Sequence, residues 1–389
     1  MKKIVNSVVF VSNFFNHHQK PFSDAMYQYL GDGYHFIETE PISEERLKMG
    51  WGEENIPSFV RKNYVNRLAE IECNNLIEKA DVVIIGSAPD HLVRNRIRSG
   101  KLVLRYSERL LKKGLELWKY PYRYIKWHRQ NPNRANIYML CASAYTSSDY
   151  ARFGLFKNRC YKWGYFPAVK RYDDIDQLLE LKHPASILWV ARLIELKHPE
   201  LPILVAKRLK DANYSFKMKL IGNGVLEGKI KNLIHVYGLD DCVEMLGIMK
   251  PEQVRDYMEK SQIFLFTSDR NEGWGAVLNE AMNSACGVVA SSVIGSVPFL
   301  VEDGENGYIY KDGDLDDLYN KVKLLLDDRQ NRSRLGKNAY ITMVDEWNAE
   351  IAAERLLCLI EDLVENKISY RYLHGPCSKA ERISNHRKS

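Results

Sequence analysis

The chain contains 389 residues, of which 45% are hydrophobic and 27% are charged, and its formal net charge is +6 at pH 7. This length predicts two or three domains, and the hydrophobic share excludes a chain that stays disordered throughout. No apolar run approaches the roughly 18 residues that a membrane-spanning helix needs. The seven scattered cysteines lack any CxxC or zinc-ligand spacing, which is typical of a cytoplasmic protein.

Short apolar runs alternate with segments of helical length along most of the chain. The first set of predicted strands covers 4–11, 34–38, 82–85, 102–105 and 137–140. The second set covers 187–190, 216–221, 243–246, 263–266, 288–290 and 308–310. This alternation is typical of βαβ units, so the sequence predicts an α/β fold with two Rossmann-like domains, whose parallel sheets face each other across a cleft.

The composition also predicts where the domains begin and end. A charged, weakly apolar segment at 169–184 is interpreted as a linker between the two sets of strands. A long helical pattern at 346–366 is expected to return towards the first domain, and the polar, basic residues after it predict a disordered tail. The predicted divisions are therefore 1–168, 169–184, 185–345, 346–366 and 367–389.

The positive charge is concentrated in the first half of the chain. Residues 1–170 carry 27 basic and 16 acidic side chains, whereas residues 171–367 carry 24 and 33. The excess lies mostly between Arg94 and Arg134, where 13 basic residues alternate with tryptophans and tyrosines. Such a segment could face anionic lipid, nucleic acid or a phosphorylated substrate, or it could be a solvated helical face.

The segment 267–282 contains the most informative pattern, because it follows a predicted strand and opens a predicted helix. Two glycines in it allow the backbone to approach a ligand, and a helix start favours a phosphate group. Glu272 lies in the loop and Glu280 lies in the helix, so a nucleotide sugar would span the two carboxylates. Two alternatives are a pair of solvated surface residues and the paired carboxylates of a glycosidase.

Two cations follow another predicted strand. Arg192 and Lys197 lie at the carboxyl edge of a sheet, where open α/β folds bind their ligands. A guanidinium and an ammonium at this edge would neutralise a diphosphate, although both could also be ordinary surface cations. A glycine turn with Gly222 and Gly224 is predicted at the same edge.

Taken together, the motifs Glu272-x7-Glu280, Arg192-x4-Lys197, 222–224 and 306–307 resemble those of the retaining family 4 glycosyltransferases (glycosyl transferases group 1). The resemblance is strong over about residues 185–330. It implies the GT-B architecture, a nucleotide diphosphate sugar as the donor substrate, and neither a cofactor nor a metal site. It also implies the catalytic residues Glu272, Arg192 and Lys197, and the donor-binding residues Gly222, Gly224, Gly247, Ile248, Gly273, Trp274, Gly275, Ala276, Val277 and Glu280.

The first domain, which the resemblance makes the acceptor side, departs from the family pattern. The loop at 12–20 has no glycine pair, and Arg105-Tyr106-Ser107-Glu108 stands where many members have a catalytic-site histidine. The predicted acceptor-side residues of this chain are therefore His17, His18 and Glu108. The two histidines would point to opposite sides of an extended chain, which makes them a poor metal pair.

These features predict a glycosyltransferase that moves a sugar to a hydroxyl acceptor with retention, in surface polysaccharide or glycolipid assembly. The expected partners are a nucleotide sugar, a glycan or lipid-linked acceptor, and a peripheral membrane surface, with no nucleic acid. We expect a cytoplasmic enzyme associated with the inner face of the membrane. The alternatives are a sugar-nucleotide epimerase of the same architecture and, in a different class, a basic nucleic-acid-binding protein.

Overall fold

The computed structural model describes residues 5–44, 52, 55–365, 367 and 370–383. The chain divides into two compact units, one formed by Met1–Ala168 with Trp347–Ser389 and the other by Val169–Glu346. Each unit contains one parallel β-sheet. The predicted α/β fold with two Rossmann-like domains is therefore confirmed.

The sheet of the first unit has seven parallel strands in the order β3-β2-β1-β4-β5-β6-β7. Its central strands are buried along their whole length, which explains their continuous runs of valine, isoleucine and leucine. The strands are β1 (Val8–Ser12), β2 (Tyr34–Glu38), β3 (Val60–Lys62), β4 (Val82–Ile85), β5 (Val103–Ser107), β6 (Ile137–Cys141) and β7 (Cys160–Lys162).

The sheet of the second unit has six parallel strands in the order β10-β9-β8-β11-β12-β13. Because the first strand of the unit, β8, is central, the strand order reverses there, which is the arrangement of the Rossmann fold. The strands are β8 (Ser186–Val190), β9 (Lys217–Ile221), β10 (Val243–Gly247), β11 (Ile263–Phe266), β12 (Gly287–Ser291) and β13 (Tyr308–Tyr310).

Helices connect most of the strands. Several begin at an asparagine or aspartate whose side chain accepts a backbone N–H, as Asn348 does from Ile351 at 2.9 Å. The helices are α1 (Lys20–Leu30), α2 (Arg67–Lys79), α3 (Arg94–Arg98), α4 (Tyr120–Gln130), α5 (Thr146–Ala151), α6 (Ile175–Glu180), α7 (Glu200–Asp211), α8 (Glu227–Val236), α9 (Pro251–Lys260), α10 (Val277–Asn283), α11 (Val297–Leu300), α12 (Leu315–Asp327), α13 (Arg329–Asp345) and α14 (Ala349–Val364). Within the described residues, no helix has the length and apolar character needed to cross a membrane.

The two edge strands of the first sheet, β3 and β7, were not predicted. Each has three residues, and β3 includes the solvent-facing Arg61, so neither forms an apolar run. Pairing with β2 and β6, respectively, makes them strands. This pairing depends on the neighbouring strand and not on local sequence.

The predicted linker at 169–184 is wrong, because this segment packs into the second unit. Asp174 caps α6 by accepting the backbone N–H of Asp176 at 2.9 Å. Leu178 of this helix is buried against Ala285 and Tyr340. Most charged residues of the segment are exposed, which explains why its composition resembles that of a linker, but Lys182 is buried and donates to backbone carbonyls.

The C-terminal segment also differs from the predicted disordered tail. Helix α14 lies in the first unit, where it packs against α1. After it, Lys379 forms an antiparallel bridge with Tyr161 of β7, and Cys377 and Ser378 are buried. The part of the predicted tail from 370 to 383 is thus ordered, because it covers the edge of the sheet at β7.

Candidate functional site

Most of the predicted donor-side residues lie on four loops of the second unit. The loops follow β8, β9, β10 and β11, which are neighbours in the sheet, and all four leave its carboxyl edge because the strands are parallel. Open α/β folds bind ligands at this edge, where the strand order reverses.

Lys197 and Glu272 come together in this region. The ammonium of Lys197 forms an ion pair with the carboxylate of Glu272, and the two side chains are only 14% and 13% exposed. A mostly buried pair of this kind is screened less by water than a surface pair. The loop after β8 and the loop after β11 are therefore joined by an ion pair.

A hydrogen-bond network fixes the position of these two loops. The indole of Trp189 donates to Thr267 Oγ1 at 2.9 Å, and the Thr267 hydroxyl donates to the carbonyl of Lys197 at 2.7 Å. The backbone N–H of Asp269 donates to the carbonyl of Leu196 at 2.9 Å. Sequence reasoning gave no role to Thr267 or Asp269, although the position of Thr267 directly after an apolar strand was a usable signal.

The glycine turn after β9 has a packing role. A Cβ on Gly222 would lie 1.9 Å from the carbonyl oxygen of Ala191, and one on Gly224 would lie 2.3 Å from that of Leu193. The N–H of Gly222 also donates to the carbonyl of Gly247 at 2.7 Å. These glycines thus let the loops after β8, β9 and β10 approach one another, whether or not a ligand is bound.

Arg192 and Ile248 are exposed at the same edge of the sheet. No hydrogen bond or ion pair of the Arg192 guanidinium is found among the described residues. Its charge is therefore available to an anionic ligand, as the prediction requires.

The predicted donor-binding residue Trp274 has its side chain in the core, so only its backbone is left to approach a donor. Trp274 is fully buried, its indole donates to Asn279 Oδ1 at 2.9 Å, and its carbonyl accepts the hydroxyl of Ser296 at 2.6 Å. Gly275 has a φ of 81°, and a Cβ there would lie 2.2 Å from the Phe266 ring. These contacts with core residues hold the backbone around Trp274 and Gly275 in place. Gly273 is buried, whereas Ala276 and Val277 are partly exposed.

Glu280 lies in α10 and is partly exposed. Burial raises the pKa of its carboxyl above the ordinary value of 4.5, and the charge of Arg255 opposes this shift. Among the described residues, no hydrogen bond or ion pair of the Glu280 carboxylate is found, and none joins it to Lys197 or Glu272. The carboxylate can therefore accept hydrogen bonds from a ligand's hydroxyl groups.

His198 follows Lys197 directly, and sequence reasoning missed it. Its Nδ1 lies 2.8 Å from Glu200 Oε1, and its Nε2 lies 3.7 Å from Asp269 Oδ2. The hydrogen bond to Glu200 raises the pKa of His198 above its ordinary value of 6.5, with further contributions from Asp269 and Asp312. Burial opposes ionisation of Glu200, but the hydrogen bond from His198, a backbone hydrogen bond and the charges of His198 and Lys229 together outweigh it and lower the Glu200 pKa.

The predicted acceptor-side residues belong to the first unit. The rings of His17 and His18 have centroids 3.9 Å apart, because the chain turns here and does not run extended, which was the condition for the two rings to point to opposite sides. Burial and the charge of His17 lower the pKa of His18 to about 3. Tyr165 connects them to Glu108: its ring centroid lies 6.3 Å from that of His18, and its hydroxyl donates to Glu108 Oε1 at 3.0 Å.

Over the part of the chain that the structure describes, no group of three or more histidine, cysteine, aspartate or glutamate side chains is arranged to hold a metal ion. The acidic and histidine side chains near Lys197 are instead engaged with one another, as His198 is with Glu200.

Comparison with known proteins locates the strongest similarity in the second unit. Residues 171–342 match the family described as glycosyl transferases group 1. The chain is 31% identical over 188 residues to the amylovoran biosynthesis glycosyltransferase AmsK of Erwinia amylovora, covering 47% of this chain and 46% of that protein. It is 28% identical over 187 residues to the putative colanic acid biosynthesis glycosyltransferase WcaL of Escherichia coli, covering 46% of each chain. The chain thus matches less than half the length of these curated relatives.

Similarity to solved structures extends over nearly the whole chain. The crystal structure of HepE of Anabaena in complex with UDP superposes with a TM-score of 0.62 at 14% identity, covering 92% of this chain and 98% of that one. At this identity the likeness concerns the fold alone. Residues 171–342 are thus similar to the glycosyl transferases group 1, and the two parallel sheets have the fold of the GT-B glycosyltransferases.

Proposed function

We propose that this protein is a glycosyltransferase that moves a sugar from a nucleotide diphosphate sugar to a hydroxyl group of a glycan, with retention at the anomeric carbon. The observation that carries the proposal is the meeting of Lys197 and Glu272 at the carboxyl edge of the second sheet, beside the exposed Arg192. This edge lies within the region that matches the group 1 family.

The charges at this edge suit the departure of a nucleoside diphosphate. Breaking the glycosidic bond leaves negative charge on the diphosphate, and the ammonium of Lys197 and the guanidinium of Arg192 would stabilise it. Glu272 would hold the sugar hydroxyls beside Lys197, while the Glu280 carboxylate would accept hydrogen bonds from the ribose. The preorganised loops then contribute positioning, which is the main catalytic demand when the leaving group carries most of the charge.

The acceptor is proposed to be a growing glycan, lipid-linked at one end, in surface polysaccharide or glycolipid assembly. This part is supported by the names of AmsK, an amylovoran biosynthesis glycosyltransferase, and WcaL, a putative colanic acid biosynthesis glycosyltransferase. On this proposal the reaction takes place in the cytoplasm and needs neither a cofactor nor a metal ion.

A screen of nucleotide sugars by thermal shift tests the donor, because a ligand that binds only the folded state raises the melting temperature. Donors that stabilise the protein are then incubated with glycan acceptors, and the anomeric configuration of the product is read by NMR. We expect a product that retains the donor's configuration. An inverted product would contradict retention, and turnover of the donor without any acceptor would favour the epimerase alternative. Salt-sensitive binding of duplex DNA without any nucleotide-sugar binding would favour the nucleic-acid alternative.

A further inference from the structure

The segment around the start of α4 presents large apolar side chains to solvent. Leu117, Trp118, Tyr122 and Ile125 are 75%, 77%, 67% and 52% exposed. We refer to these four residues as the aromatic patch. Single exposed apolar side chains are common on protein surfaces, but four of them within nine residues form a continuous feature that needs an explanation.

The helix orients the aromatic patch outward because its other face is anchored in the first unit. The Tyr120 ring stacks on Phe153 with centroids 4.9 Å apart, and Trp127 meets the same ring edge-on at 4.4 Å. Tyr122 and Ile125 lie three residues apart in α4 and therefore on one side of it, and Leu117 and Trp118 lie in the turn directly before the helix. The patch is thus held in place by a packed inner face.

The charges around the aromatic patch are positive. Residues 117–135 contain no aspartate or glutamate. Lys113, Lys126 and Arg129 are exposed, and none of them has a hydrogen bond or ion pair among the described residues. The Lys119 ammonium lies 4.5 Å from the Trp118 ring centroid, and this lysine also pairs with Glu116 at 2.6 Å.

Other cations of the Arg94 to Arg134 segment are used inside the unit. Arg123 also pairs with Glu116, and Arg105 pairs with Asp90. Arg96 is fully buried and donates to the carbonyls of Ile77, Glu78, Ala80, Asp81 and Leu102. The charge excess read from sequence therefore overstates the surface charge, and the exposed cations near the patch are among those that remain available.

We propose that the aromatic patch, with Lys113, Lys126 and Arg129, docks the first unit onto the surface of an anionic lipid bilayer. Tryptophan and tyrosine favour the interfacial zone of a membrane, and leucine and isoleucine gain free energy by entering its acyl boundary. The flanking cations complement anionic headgroups, each by about 1 kcal/mol. The proposal goes beyond glycosyl transfer, and lipid binding requires neither a donor nor an acceptor.

Co-sedimentation of the full chain with vesicles tests this proposal. One set of vesicles contains phosphatidylcholine alone, and the other contains phosphatidylcholine with phosphatidylglycerol. We expect binding to the anionic vesicles that weakens as the salt concentration rises. In a parallel experiment, lipids brominated on the acyl chain should quench part of the tryptophan fluorescence, and Trp118→Phe should remove that quenching while most of the binding remains.

Matched variants distinguish binding through the aromatic patch from non-specific binding through any exposed apolar side chain. We expect Leu117→Ser with Ile125→Ser to weaken binding to anionic vesicles about tenfold or more, and Lys126→Gln with Arg129→Gln to weaken it by a similar factor. The control is Val65→Ser with Leu68→Ser, since these apolar side chains are 61% and 65% exposed elsewhere in the same unit. The control should bind as the unmodified protein does.

Three results would overturn the proposal. They are an absence of binding to both kinds of vesicle, equal binding to neutral and anionic vesicles, and unchanged binding of the Leu117 and Ile125 double variant. Far-ultraviolet circular dichroism and the melting temperature establish that each variant is folded. Because no nucleotide sugar is present in these experiments, their outcome is independent of whether the proposed transferase activity is correct.

Discussion

Lys197 and Glu272 lie 75 positions apart in the chain and form an ion pair at the carboxyl edge of the second sheet. Both side chains are mostly buried, so removing one charge leaves the other without its partner in a poorly solvated place. A single substitution at either position therefore reports the lost interaction together with this penalty. A double-mutant cycle is needed to separate the two effects.

We predict that Arg192→Ala and Lys197→Ala each lower the rate of sugar transfer about tenfold or more and weaken binding of the nucleoside diphosphate product. The reason is that each removes one positive charge from the edge where the diphosphate would lie. Steady-state kinetics and calorimetry measure the two effects. Lys231→Ala is a suitable control, because this lysine is exposed on α8 and pairs with Glu227. Unchanged kinetics in both test variants would refute the assignment.

Glu272→Gln and Glu280→Gln should have different consequences. Glu272 is expected beside the transferred sugar, so its substitution should mainly lower turnover, whereas that of Glu280 should mainly weaken binding of the bare nucleotide. Comparing kcat with the dissociation constant of the nucleoside diphosphate separates these effects. The same pattern in both variants would contradict the proposed division of roles.

Transfer activity should survive treatment with EDTA. The proposed chemistry uses Arg192 and Lys197 in place of a metal ion to neutralise the diphosphate. The measurement compares rates before and after chelation, with and without added Mg²⁺ or Mn²⁺. A loss of activity that either ion restores would count against this prediction.

Gly222→Ala should destabilise the second unit strongly, because its Cβ would lie 1.9 Å from the carbonyl oxygen of Ala191. We expect a loss of about 3 kcal/mol or more in the free energy of unfolding, measured with urea. The matched control is Gly238→Ala, which also has a positive φ but no atom within 4 Å of the added Cβ. The control should lose only about 1–2 kcal/mol. Similar losses in both variants would mean that the close approach of the two loops is not important.

The contacts of His198 with Glu200 and Asp269 should make stability depend on pH. The pKa of His198 is raised above 6.5, so its contribution is complete below that value and is lost as the pH rises through the folded-state pKa. The pKa of Glu200 is lowered below 4.5, so its contribution is lost as the pH falls through the folded-state value. The charge of Asp312 also raises the pKa of His198, and Arg270 lies close enough to lower the pKa of Asp312.

We therefore expect the difference in unfolding free energy between the unmodified protein and His198→Gln to be largest at about pH 5–6. The difference should decrease towards both lower and higher pH. Urea unfolding over a series of pH values measures it, and a difference that stays constant from acid to alkaline pH would contradict the role given to this ion pair.

The sequence by itself determined the central strands and the class of fold. Runs such as Val82–Ile85 and Ile263–Phe266 are continuous because a parallel sheet is buried on both faces, and that requirement is local to each strand. The sequence also placed Arg192, Lys197 and Glu272 at the carboxyl edge of the second sheet, because strand ends and glycine turns mark that edge.

Only the tertiary structure decided which of these residues interact and which are buried. The pairing of Lys197 with Glu272 and the bond from Thr267 to the Lys197 carbonyl join segments about 70 positions apart, and no local pattern encodes such a distance. The burial of Trp274 and of Arg96 was also decided by the tertiary structure. The sequence alone would place Trp274 at a ligand and Arg96 on a basic surface. Side-chain accessibility and long-range ion pairs depend on how separate segments pack, so they are fixed only when the whole chain is folded.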